Sequence, residues 1–158
     1  MARVYLEPSF FSASVTTRSA PRIVGWRTTS LEWWRSQASK HYLFISPEVV
    51  AELTAPEFKE RDAALEMLRG LTLLEISPEV LNLAEFLVDE QVMPNPRNAG
   101  DAIHVATATV HRMDYILSWN IQHLANENKR RHLAVICLRL RYVPPLIVTP
   151  DMLWEDAP

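Results

Sequence analysis

Four short apolar runs punctuate this chain: VYL at 4–6, YLFIS at 42–46, LTLLEI at 71–76 and YILSW at 115–119. Stretches of helical periodicity separate them, and that alternation constrains the fold more than any other feature. Adjacent strands run parallel only when a crossover of a dozen or more residues, usually a helix, returns the chain. The sequence therefore predicts an α/β domain with a mostly parallel sheet and helices on its faces. LIV at 146–148, after Pro144-Pro145, supplies a last strand.

The helix boundaries are written largely in proline. Pro8 suits the first position of a helix, where its missing N–H costs nothing. Residues 19–39 read as a second helix, with Ile23, Trp26, Trp33 and Trp34 as core contacts. Ser46-Pro47 and Ser77-Pro78 both read as a cap followed by a helix-opening proline, the second helix running to about 91. Pro56 separates a helix at 57–69, which Gly70 ends. Pro94 and Pro96 make 92–97 an extended loop. A helix over 98–112 follows, with Ala99, Ala102, Ile103, Ala106, Val110 and Met113 on one apolar face. Residues 120–141 read as mostly helical, with Leu133, Ile136, Cys137 and Leu140 at i, i+3, i+4, i+7. No repeat or low-complexity linker interrupts the pattern, so residues 1–158 form a single domain of ordinary size.

Composition removes several function classes. The three glycines, Gly25, Gly70 and Gly100, are too scattered for a GxGxxG or GxxxxGK[ST] phosphate loop. The single cysteine, Cys137, excludes an internal disulfide and a CxxC zinc site, and it falls in the apolar stripe of a helix. No apolar run reaches the roughly 18–20 residues of a membrane span, and the start lacks a secretory pattern. The expectation is a cytoplasmic protein. The net charge of −3 is unevenly spread: +4 over residues 1–47, −8 over 48–90, +4 over 91–141 and −3 beyond. Such a surface can steer a polyanion to one side, or simply reflect solvated helix faces.

Ligands of open parallel sheets bind beyond the carboxyl ends of the strands. Glu7 directly follows the first strand, Glu52 lies about one turn into the helix leaving the second, and Asn120 follows the fourth. The 98–112 helix should run antiparallel to the strand it feeds, which brings Asp101 to the same rim. Clustered carboxylates repel unless a cation sits among them, and hard oxygen ligands suit Mg²⁺ or Mn²⁺. Such an ion can polarise a phosphodiester and activate water. Lys129, Arg130, Arg131, Arg139 and Arg141, with Arg18, Arg22 and Arg27, could hold a nucleic-acid backbone around it. Taken singly, each acid has a plainer use. Asp101 can offset a helix dipole, Glu52 can be a solvated glutamate with Glu48 equally available, Asn120 can cap, and Ser9 can bond local backbone. His104, three residues after Asp101, suits a packing or supporting place better than a ligand position. Glu7 is harder to explain away, because an acid ending a central strand has little structural use.

YLEPSFFS at 5–12, PEVVAEL at 47–53, DAIHVATA at 101–108 and LSWNIQHLAN at 117–126 resemble the PIN-domain family, especially VapC-like toxins of bacterial toxin–antitoxin modules. YVPPLIVTPDML at 142–153 resembles the tail of that group. The resemblance implies a three-layer α/β/α fold and an Mg²⁺- or Mn²⁺-dependent ribonuclease, with a cognate antitoxin and a homodimeric state. It maps metal-binding acids onto Glu7, Glu52 and Asp101, and a supporting hydroxyl onto Ser9. Asn120 falls where many members carry a further acid, and Glu7 where most carry Asp. These departures leave three carboxylates, favour one metal, and keep open a rival reading as a non-cleaving RNA- or protein-binding module. Five tryptophans, three of them within 26–34, suggest either a subunit face or a helix that covers the sheet.

Overall fold

A computed structural model of the chain describes residues 1–91, 99–121, 124 and 126–156. Five strands, β1 (Arg3–Leu6), β2 (Tyr42–Ile45), β3 (Thr72–Leu73), β4 (Tyr115–Leu117) and β5 (Leu146–Val148), form one sheet in the order β3-β2-β1-β4-β5. Every pairing is parallel, with Tyr5 opposite Phe44 on one side and Ile116 on the other. β1 is central, and Val4, Tyr5 and Leu6 are fully buried, as a strand covered on both faces requires.

The crossovers are helical. They are α1 (Pro8–Val15) and α2 (Pro21–Ser36), α3 (Pro47–Leu53) and α4 (Arg61–Leu68), α5 (Pro78–Asp89) and α6 (Ala99–Val110), and finally α7 (Glu127–Arg139). α1 packs on α2 and α4, while α6 packs on α5 and α3. The result is the α/β/α arrangement expected. After β3 the chain returns across the sheet to β4, so the strand order reverses beside β1. At such a switch point the departing connections diverge and leave a crevice at the carboxyl edge.

Local chemistry sets the boundaries. Gly70 takes a left-handed φ of +79° just after α4, a conformation open to glycine without a Cβ penalty. Ser77 caps α5 by accepting the Val80 N–H at 3.3 Å. Ser46 occupies the N-cap position of α3 but does not cap it; its hydroxyl pairs instead with Tyr5 Oη at 2.7 Å. Two elements are shorter than the sequence suggests. β3 retains only Thr72–Leu73 of the six-residue run, because it sits at the sheet edge with one partner. α7 begins only at Glu127, where Asn126 accepts the Lys129 N–H at 3.0 Å. The expected loop at 92–97 lies outside the described residues.

The tryptophans of α2 are used within the chain. Trp33 is fully buried and donates from Nε1 to the Leu153 carbonyl at 2.7 Å. Trp34 packs on Phe10 and Phe11, and Trp26 stacks on Trp119. The aromatic excess therefore covers the sheet and supplies no argument for a subunit face. Cys137 is buried in α7, and burial pushes its thiol up to about 11 despite a hydrogen bond with Thr109. Among the described residues, no helix is long and apolar enough to cross a membrane.

Candidate metal centre

The carboxyl end of β1 delivers Glu7 to the crevice, and the same residue caps α1. Its Oε2 accepts the Ser9 N–H at 3.2 Å, so Glu7 has a structural use that the sequence did not reveal. That oxygen also accepts the Ser9 hydroxyl and, at 2.7 Å, the Ser118 hydroxyl from the end of β4. Three donors therefore converge on Oε2, and Oε1 takes none of them. Ser9 Oγ in turn accepts the Trp119 N–H at 2.8 Å, and Ser118 Oγ accepts the Asn120 N–H at 2.9 Å. This mesh ties the ends of β1 and β4 across the switch point. Burial raises the Glu7 carboxyl above its ordinary value, against the pull of His104 and the two serine hydroxyls. A buried carboxylate with one oxygen outside its hydrogen-bond set is costly as an anion unless a cation joins it.

Glu52, on α3, is the solvent-facing partner. Its Oε1 lies 2.8 Å from His104 Nε2 on α6. A carboxylate only accepts, so Nε2 must carry the proton. His104 Nδ1 lies 2.6 Å from Tyr5 Oη, which itself lies 2.7 Å from Ser46 Oγ. Burial raises the Tyr5 hydroxyl well above its ordinary value, so it stays protonated. Ser46, Tyr5, His104 and Glu52 thus form one continuous chain from the core to the rim. Burial alone would lower the His104 pKa. The Glu52 hydrogen bond and the charges of Glu7, Glu52 and Glu48 outweigh that and raise it.

Gly100, in the first turn of α6, explains how Glu52 comes so close. A Cβ there would fall within 3.0 Å of Glu52 Oε1 and 3.4 Å from Glu48 Oε1. Only glycine lets the carboxylate rest against the helix at this point.

Among the described residues, Glu7, Glu52 and His104 place ligand-capable atoms all within 4.8 Å of one another. Among the described residues neither Glu7 Oε1 nor Glu52 Oε2 takes a hydrogen bond, and two such carboxylates, one buried and one open to solvent, fit a hard divalent cation that retains waters. Asp101 is not part of that trio. It stands half-buried beside Gly100 in the first turn of α6, three residues before His104. Asn120 is half-buried, two residues beyond Ser118.

The basic residues divide. Arg130 lies along β5 and donates from Nη2 to the Ile147 carbonyl, so it acts as a brace. Arg131 pairs with Glu127 at 3.2 Å on the surface, and Lys129 follows the Asn126 cap. Arg141 lies by Asp114, at the amino end of β4, just past the last turn of α7, which carries Arg139; both belong to the opposite end of the sheet from Glu7. Arg27 donates to the Thr16 carbonyl at 3.0 Å, and the Arg22 guanidinium covers the Trp26 ring at 4.8 Å.

Ser118, Gly100 and Tyr5 were not singled out from sequence. Ser118 had a signal, as a hydroxyl at the carboxyl end of a strand beside Glu7. Gly100 and Tyr5 had none, because their importance lies in contacts made across α3 and α6.

No family model and no curated protein sequence matches the chain. Several solved structures resemble it. VapC20 from Mycobacterium tuberculosis, a sarcin-ricin loop cleaving toxin, superposes with a TM-score of 0.57 at 16% identity, over 76% of this chain and 92% of that one. VapBC2 from Rickettsia felis, bound to a promoter DNA fragment, gives 0.55 at 12% identity, over 92% and 97% of the two chains. FitAcB from Neisseria gonorrhoeae gives 0.53 at 14% identity, over 94% and 98%. At such identities the likeness bears on architecture. The chain has a VapC-like PIN fold.

Proposed function

We propose that this protein is a metal-dependent endoribonuclease, the toxin of a toxin–antitoxin pair. The observation that carries the reading is the meeting of Glu7, Glu52 and His104 at the carboxyl edge of a parallel sheet, beside its switch point. The toxins of like fold and the resemblance of the chain's motifs support it. Glu7 and Glu52 would hold Mg²⁺ or Mn²⁺, with Asp101 joining directly or through water. When bound, such an ion offsets charge on the phosphodiester and makes water a better nucleophile.

The chain's own groups do the positioning. Ser9 and Ser118 hold Glu7 Oε2, which leaves Oε1 for the ion. His104 Nε2–H holds Glu52 Oε1, and Tyr5 and Ser46 hold His104. Asn120 is assigned to orient the attacking water in line with the leaving oxygen. Attack forms one P–O bond and breaks the bond to the ribose oxygen, which leaves with a proton. Lys129, Arg131 and Arg22 are assigned to the RNA backbone; Arg130 is withdrawn from that set by its bond to β5, and Arg18 by its place in the cavity beside Ser9.

The reading brings a cognate antitoxin as partner, and a homodimer that rests on the resemblance alone. It is tested by incubating purified, antitoxin-free protein with structured and single-stranded RNAs in Mn²⁺, Mg²⁺ or EDTA. Glu7→Gln and Asp101→Ala serve as controls. Cleavage that needs metal and disappears in both variants supports the reading. A folded protein that cuts nothing with either ion is instead a binding module.

A further inference from the structure

A cavity of about 290 Å³ opens next to the metal centre, between α1, the start of α2 and the segment leading into α4. Resting on the nuclease reading, we propose that it is the subsite for one nucleobase of the RNA strand, with guanine the preferred base. Ser9, Arg18, Trp26, Phe58, Glu60 and Trp119 are the lining groups that matter. Ser9 belongs to both places: its hydroxyl holds Glu7 on one side and lines the cavity on the other. A strand whose phosphate lies at Glu7 therefore brings a neighbouring base to this opening.

One wall is a rigid aromatic unit: Trp26 and Trp119 stack on each other 5.0 Å apart at 13°, Arg22 covers Trp26, and Trp119 Nε1 donates to Ser30 Oγ at 2.7 Å. Phe58, which also lines the cavity, is the aromatic side chain left to meet a planar ring. Sequence-specific proteins take unpaired RNA bases against such side chains and read their edges by hydrogen bonds. The volume lies at the lower limit of small-ligand pockets, about 300 Å³, which suits one base better than a longer segment.

The polar groups choose among the bases. Glu60 accepts only, and Arg18 donates only. Guanine offers two adjacent N–H donors on its Watson–Crick edge and acceptors at O6 and N7. Adenine instead turns a ring acceptor toward the carboxylate. Uracil and cytosine each present a single donor group there and leave much of the cavity unfilled. The segment that carries Arg18 is already braced, by Arg27 on the Thr16 carbonyl and by the Arg18 N–H on Thr16 Oγ1 at 3.2 Å. Thr17 Oγ1 holds Glu60 at 3.3 Å.

The test uses the full chain, a randomised single-stranded RNA library and Mn²⁺, with the ends of the cleaved products sequenced. The wild type should enrich guanine at one fixed position near the cut, and Glu60→Gln should reduce the guanine-over-adenine preference there at least tenfold. Arg18→Ala should reduce it as well; both side chains lie away from the core, so the variants fold. In EDTA, a DNA tetramer bearing guanine should quench tryptophan fluorescence at tenfold lower concentration than its adenine counterpart, and Glu60→Gln should abolish that difference. Cleavage without any base preference overturns the proposal, as does a preference both variants retain. Variants that lose only antitoxin binding would make the cavity a protein-docking pocket, which also overturns it. Wild-type protein that cuts no RNA refutes the nuclease reading itself, while the fluorescence arm still reports on the subsite.

Discussion

Gly100→Ala is the perturbation that isolates the placement of Glu52 from the stability of the fold. The new Cβ would lie within 3.0 Å of Glu52 Oε1, whereas ordinary contact begins at 3.4 Å. The carboxylate must therefore retreat by more than the 0.4 Å between those limits. It is the same oxygen that meets His104 Nε2 at 2.8 Å, so the retreat loosens the bond that orients it. A shift of this kind at a metal-holding carboxylate costs on the order of 10–100-fold in metal affinity or rate. The fold should tolerate the change. Alanine in a helix gains about 0.5–1 kcal/mol over glycine. That offsets part of the about 1.5–3 kcal/mol of a charged hydrogen bond, an upper figure here because Glu52 is partly solvated. The assay is paired: the Mn²⁺ dissociation constant by calorimetry and the initial rate of RNA cleavage, with Tm recorded on the same samples. The expected result is a drop of tenfold or more in affinity and rate with Tm nearly unchanged. Wild-type Mn²⁺ affinity and rate in a folded Gly100→Ala protein would refute the reasoning.

Tyr5→Phe leaves Ser46 and His104 Nδ1 without their shared buried partner, and should destabilise the protein by about 1–3 kcal/mol in urea titrations; an unchanged midpoint would remove the buried chain as a structural element. The metal-free protein should lose stability as pH rises. Glu7 has a folded pKa above its ordinary 4.5, so its contribution is full below that value and lost as pH climbs through the raised one. His104, raised above 6.5, acts with the same sign, its contribution being lost as pH passes through its own raised value. The Tm gain on adding Mn²⁺ should therefore grow with pH from about 4.5 upward, and scanning calorimetry across pH 4–8 checks it. Cys137 should resist a thiol reagent at pH 8 until urea unfolds the chain, since its thiol is buried and pushed up to about 11.

Much of the architecture was legible because it rests on local pattern. VYL at 4–6 reads as a strand and is the buried centre of the sheet, and Pro8, Pro47 and Pro78 each open a helix. The edge geometry then brought Glu7, Glu52 and the start of α6 to one rim. What stayed hidden are contacts between residues far apart in sequence. His104 reads as an unremarkable helix residue until α6 is laid against α3, where it meets Glu52. Gly100 reads as a poor helix former until the same packing shows what its missing Cβ makes room for. Asn120 reads as the start of a helix, but its N–H is taken by Ser118 and the helix waits for the Asn126 cap. Trp26 reads as a core contact, and its ring partner is Trp119, just past the end of β4.

On the proposed reading, the Glu7 and Glu52 carboxylates share one divalent cation. Crystals grown with Mn²⁺, measured at a wavelength where manganese scatters anomalously, test it without reference to any substrate. An anomalous peak is expected between the two carboxylates, beside Glu7 Oε1, and it should disappear in Glu7→Gln. A peak elsewhere, or none at saturating Mn²⁺ with both carboxylates ordered, would contradict it.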